Sequence, residues 1–167
     1  MSISLVRLLL ENTDGTQINF QGQRGSGILP IALDTKHILV QFRSADVDEP
    51  HTYGTVGGII KQSENPANGA VREFEEETGY TDTDRLLLVP VYIFKKKNFA
   101  YHNFIGIVPK QFDVKPKPAF EWETDFFVWA PLDELLSSQT LHPGLEKLLT
   151  DNRSLQVIKK VMLLSSP

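Results

Sequence analysis

With 167 residues, 41% hydrophobic and 23% charged, the chain has the size and composition of one globular domain with a real core. A net charge of −4 disfavours a duplex nucleic-acid partner, which calls for a basic face, but leaves phosphorylated small molecules open, since one metal site can recruit them. The lack of cysteine removes disulfides, thiolate zinc sites and cysteine nucleophiles.

Residues 4–10, 28–33 and 37–42 have strand character, separated by turn-rich segments at 12–15 and 22–27. The opening run is too short, and too soon interrupted by charge, for a secretion signal. No run nears the roughly 18 apolar residues that span a bilayer, so a cytoplasmic chain without a membrane partner is expected. Gly22, Gly25 and Gly27 have no helix pattern behind them and read as a flexible turn rather than a phosphate loop. Residues 46–50 form a polar loop, and 55–60 a short strand through the pair Gly57-Gly58.

A helix follows. Asn65 suits the N-cap, Pro66 the first helical position and Gly79 the stop. At about 100° per residue, Ala67, Ala70, Val71 and Phe74 share one arc. Glu73, Glu76 and Glu77 share another about 120° away, with Gly69 among them leaving that face open. Residues 86–94 and 100–108 are further strands joined by a lysine-rich turn at 95–98, and 126–129 is another. A helix begins at 131–135, and a helical tail runs from 143 to 164. Without repeat, low-complexity tract or linker, 1–167 reads as one α/β domain with a mixed sheet.

Glu73, Glu75, Glu76 and Glu77 crowd five positions, and like charges so close weaken a helix. A hard divalent cation would neutralise them, because such ions take carboxylate oxygens. The bland alternative is an acidic solvated face. The spacing around the cluster favours the metal: from Gly58, five residues lead to Glu64, then seven to Arg72-Glu73-Phe74-Glu75-Glu76-Glu77-Thr78-Gly79-Tyr80.

This segment resembles the signature of the Nudix hydrolases, with every polar and glycine position filled. Phe74 and Tyr80 stand where the family mostly has aliphatic residues. The resemblance implies a Nudix-type α/β/α sandwich with a central mixed sheet and a catalytic loop-helix-loop. It also implies hydrolysis of a phosphoanhydride bond in a nucleoside diphosphate linked to a further moiety, such as an NTP, dNTP or nucleotide sugar. Mg²⁺ is the implied cofactor, with Mn²⁺ able to substitute. Glu73, Glu76 and Glu77 are the implied metal ligands, joined by the Gly57 carbonyl. Glu64 and Arg72 are supporting residues, and Glu75 is left as a solvated charge. The general base is Glu73 or a carboxylate before the late tryptophan-bearing strand. There Glu123, six residues before Trp129, is the first choice and Glu121 the second.

Arg43 is a candidate phosphate contact, and Tyr92, Phe104 and Trp122 are candidates to stack a base. The lysines at 95–97 suit a solvated hairpin tip, and His51 and His102 suit polar or satisfied positions. Lys96 occupies the place of a proline typical of ADP-ribose pyrophosphatases, and the markers of other subfamilies are also missing, so no substrate is named. Residues 5–10 and 157–164 are candidates for core or, by family analogy, a homodimer interface. The competing function is a Nudix-fold module that senses a nucleotide without turnover. Such modules usually lose box glutamates, and this box keeps them.

Overall fold

A computed structural model describes residues 22–165. The strand and turn expected at 4–10 and 12–15, and with them one dimer candidate, lie outside the described residues. Strand β1 (Gln23–Ala32) is the spine of a mixed sheet and runs parallel to β6 (Phe99–Val108) along its full length, from Gln23↔Phe99 to Ala32↔Val108. Its other edge is shared. Gly25–Ile28 pair with β4 (Val56–Ile59), and Ile31 pairs with β2 (Ile38–Arg43). Strand β2 also carries β3 (Tyr53–Gly54) and β7 (Thr124–Ala130), while β5 (Leu87–Lys96) lies antiparallel to β6.

Side chains alternate across a strand, so neighbouring residues feed opposite cores. Ile28 and Phe104 face helix α1 (Pro66–Thr78), where they pack with Leu39, Val56, Ala70 and Phe74. Leu29 and Ile105 face the other layer, made by α2 (Leu132–Ser137), α3 (Pro143–Thr150) and α4 (Asn152–Met162). Leu135, Leu145, Leu148, Ile158 and Val161 fill that side. The result is the expected α/β/α sandwich.

Two expectations are corrected. The glycine-rich stretch read as a turn is the first half of β1, because pairing with β4 and β6 on both edges overrides a weak local preference. The single tail is two helices, broken at Asp151, whose carboxylate accepts the Ser154 N–H at 2.9 Å and caps α4. Within residues 157–164, Val157, Ile158 and Val161 are buried in this chain's own core, the first of the two readings for that stretch, while Leu163 is 85% exposed. Among the described residues, no helix is long and apolar enough to cross a membrane.

Candidate active site

Helix α1 forms as its caps foretell. Asn65 Oδ1 accepts the Ala67 N–H at 2.8 Å, Pro66 follows, and Gly79 closes the helix at φ +70° with its N–H on the Glu75 carbonyl. The last turn leaves carbonyls without helical donors. The N–H groups of Lys115 and Lys117 take those of Thr78 and Glu76, each at 2.9 Å. That anchors the segment leading to Glu123 against the helix end. Ser44 completes the placement, its Oγ donating to the Trp122 carbonyl at 2.7 Å and its N–H to that of Glu123 at 3.1 Å.

Arg72 ties the signature loop to the helix. Its Nε and Nη2 reach the two Glu64 oxygens, each at 3.0 Å, while Nη1 meets Glu73 Oε1 at 2.6 Å and Glu76 Oε2 at 3.1 Å. This bidentate contact and the Lys61 N–H on Glu64 lower the Glu64 pKa to about 2. Gly69 does not leave an open face as expected; its missing Cβ makes room for the Ile60 side chain and for Glu64.

Glu73 and Glu77 are carboxylates on the buried side of α1, only 8% and 4% exposed. Burial raises the pKa of both, and the charge of Glu123 adds to the rise in each. The Gly57 N–H and the Arg43 charge partly oppose the shift at Glu77. Burial also raises Glu123, against Arg43. The structure therefore brings Glu77 within electrostatic reach of Glu73, Glu123 and Arg43. Glu121 instead lines a separate groove with Phe112, Phe127 and Trp129.

One Glu77 oxygen, Oε2, is buried with no hydrogen-bond partner. An orphaned anionic oxygen is costly unless something satisfies it. A hard divalent cation fits it, and the all-oxygen set of Glu73, Glu76 and Glu77 suits Mg²⁺ or Mn²⁺. Among the described residues no three acidic or histidine side chains yet converge on one point. Arg72 holds Glu73 and Glu76 toward itself.

Across β4 from the helix lies a cavity of about 510 Å³. Arg43, Gly57, Tyr92, Tyr101, His142 and Lys147 are among its lining. Arg43 is fixed there by the Asp48 carbonyl, which accepts from Nε at 3.1 Å and Nη2 at 2.6 Å. Of the expected base-stacking residues, Tyr92 lines the cavity. Phe104 does not: it points from β6 into the core beneath α1, since strand alternation sends Asn103 toward the cavity and Phe104 away. Trp122 is 55% exposed and lines neither wall. Sequence reasoning missed Tyr101, His142 and Lys147. His142 did carry a signal, an N-cap place directly before Pro143, and its Nδ1 accepts the Gly144 N–H at 3.0 Å.

A mixed sheet between helical layers, with a glutamate-bearing loop-helix-loop on one face, defines a Nudix-type hydrolase site. The description "NUDIX domain" matches residues 23–151, and the chain belongs to the Nudix family. It is 31% identical over 121 residues to a nucleoside triphosphate pyrophosphatase/Nudix hydrolase fusion protein of Bifidobacterium longum; the match covers 70% of this chain and 25% of that one. It is 26% identical to a CMP-5'-(N-acetyl-N-hydroxy-3-aminopropyl)phosphonate hydrolase of Streptomyces rubellomurinus, covering 86% of this chain and 71% of that one. Its fold is similar to that of a crystallised Nudix hydrolase from M. smegmatis, RenU, with a TM-score of 0.68 at 19% identity, covering 87% and 89% of the two chains. Nudix hydrolases generally use divalent metals.

Proposed function

We propose that this chain, acting as one domain, hydrolyses a phosphoanhydride bond in a nucleoside diphosphate linked to a further moiety, with Mg²⁺ as cofactor and Mn²⁺ as a substitute. The observation that carries the reading is the buried, unpartnered oxygen of Glu77 inside a complete signature, one strand away from a cavity with aromatic and cationic walls. The relative named for hydrolysing a CMP-linked phosphonate supports a nucleotide-linked substrate.

Glu73, Glu76, Glu77 and the Gly57 carbonyl would hold the cation, which supplies charge neutralisation at the phosphates and a more acidic water. Arg72 orients Glu73 and Glu76 and is itself fixed by Glu64. Arg43 and Lys147 present positive charge to phosphate oxygens from the cavity side. Tyr92 offers a ring to a base. Glu123 is the preferred general base: burial raises its proton affinity, which suits taking a proton from the attacking water near neutral pH. Glu121, over its separate groove, lacks that setting.

Product chromatography tests the reading. The purified chain is incubated with Mg²⁺ or EDTA and a panel of NTPs, dNTPs, nucleotide sugars, ADP-ribose, NADH and dinucleoside polyphosphates. The expected result is metal-dependent release of a nucleoside monophosphate from one class. Nucleotide binding without any product would overturn the hydrolase reading in favour of a sensing module.

A further inference from the structure

Three glycines on two strands leave room for one side chain. A Cβ on Gly25 would stand 2.6 Å from Tyr101 Cδ2, one on Gly57 would stand 2.6 Å from the Tyr101 hydroxyl oxygen, and one on Gly27 would overlap that hydroxyl. The β1–β6 register sets Tyr101 directly beside Gly25. The ring lies in the cavity wall, and the hydroxyl reaches past Gly27 to the backbone of β4. Its burial raises the hydroxyl's pKa, with the charge of Glu77 adding to the rise.

The next residue of β4 faces the other way. A Cβ on Gly58 would stand 2.7 Å from Glu73 Oε2 and 2.8 Å from Glu73 Cδ. The Gly57 N–H supports the charged form of Glu77. Two consecutive glycines thus lie between the cavity and the carboxylates, with Tyr101 packed on one side and Glu73 on the other.

We propose that Tyr101 is a positioning residue: its ring and hydroxyl, seated in the Gly25–Gly27–Gly57 cradle, set the backbone of Gly57 and Gly58 against Glu73 and Glu77, and so set metal affinity from the cavity side. The inference rests on the metal-dependent reading above. A group that holds a metal ligand in place commonly changes affinity by about 10–100-fold when removed. The rigid ring contributes most of the hold, so a cut-down side chain weakens metal binding more than loss of the hydroxyl alone.

Mn²⁺ alone is the probe, titrated calorimetrically into wild type, Tyr101→Phe, Tyr101→Leu and, as a cavity-wall control, Tyr92→Leu. Tyr101→Leu is expected to weaken Mn²⁺ by at least about tenfold, with Tyr101→Phe intermediate and Tyr92→Leu unchanged. With the nucleotide substrate at saturating metal, Tyr101→Leu is expected to lower kcat, whereas Tyr92→Leu raises KM. If wild type binds no Mn²⁺, the metal-dependent reading fails first. If wild type binds it and both Tyr101 variants match wild type while only KM or Tm moves, Tyr101 is merely cavity wall and the inference is overturned. Should Tyr101→Leu not fold, Tyr101→Met, which also removes the ring, takes its place: wild-type Mn²⁺ affinity in a folded Tyr101→Met protein refutes the proposal.

Discussion

Replacing Glu77 by glutamine separates two effects that oppose each other at this site. In the metal-free protein, the Glu77 carboxylate is buried, one oxygen has no partner, and the charges of Glu73 and Glu123 press on it. Leaving a buried polar group unsatisfied costs about 1–3 kcal/mol, and more for a charge. Glutamine keeps the shape and an acceptor for the Gly57 N–H, and offers an amide to the neighbouring carboxylates. A net relief of about 1–2 kcal/mol corresponds, at about 2–4 °C per kcal/mol for a domain of this size, to a rise of roughly 2–8 °C in Tm. Below pH 4.5, the ordinary value for the group, both folded and unfolded chains carry the proton and the relief disappears. Above it the unfolded chain ionises first, so it binds fewer protons than the native state and wild-type stability falls as pH rises. Metal reverses the order at neutral pH. A ligand at about a hundred times its Kd stabilises by about 2.7 kcal/mol, and the variant loses most of that gain. Thermal melts of both proteins in EDTA and in Mg²⁺, at neutral and acidic pH, read every term. Activity is expected to fall at least about a hundredfold, the scale of losing one electrostatic contributor. A variant less stable than wild type in EDTA, yet showing the full metal shift, would refute this account of Glu77.

Two other substitutions probe the surroundings. Burial and the nearby Arg43 lower the pKa of His142 below its ordinary 6.5. Its stabilisation is therefore complete above pH 6.5 and lost as pH falls toward the folded value, when Nδ1 must give up the Gly144 N–H. His142→Asn keeps an N-cap acceptor without a titrating group, and is expected to remove from the acid-side loss of stability about the 1 kcal/mol that one cap contributes; an unchanged dependence of Tm on pH would place the titration elsewhere. Gly58→Ala puts a Cβ 2.7 Å from Glu73 Oε2, the movable end of a side chain. The fold is expected to lose less than about 1 kcal/mol by melting, while turnover drops about 10–100-fold as Glu73 is pushed from Arg72. Wild-type turnover in a folded Gly58→Ala protein would show that the Glu73 position is not critical.

The glutamate-bearing helix was legible because its causes are local. Asn65, Pro66 and Gly79 set its ends, and a spacing of three and four residues sets which side chains share a face. The eight-residue span from Glu64 to Arg72 resolves into a bidentate pair for the same reason: the loop between them is short and the helix is regular. The start of β1 was illegible because Arg24-Gly25-Ser26-Gly27 has no strand preference of its own. Its structure comes from β4 on one edge and β6 on the other, neither of which a single window of sequence contains.

The cavity shows the same division at the level of single residues. A period of two says that Tyr101 and Asn103 lie on one side of β6 and Phe104 on the other. It does not say which side meets α1 and which meets α3. That choice is made by the register with β1, where Gly25 stands beside Tyr101 and Ile28 beside Phe104. The apolar partner draws Phe104 into the core under α1, and the glycine leaves Tyr101 the space to reach β4. Gly25 and Gly27 are thus the mark that Tyr101 leaves on a distant strand. Their meaning emerges only when the strands are paired, since a glycine kept to admit a neighbour and a glycine kept to make a turn are spelled alike.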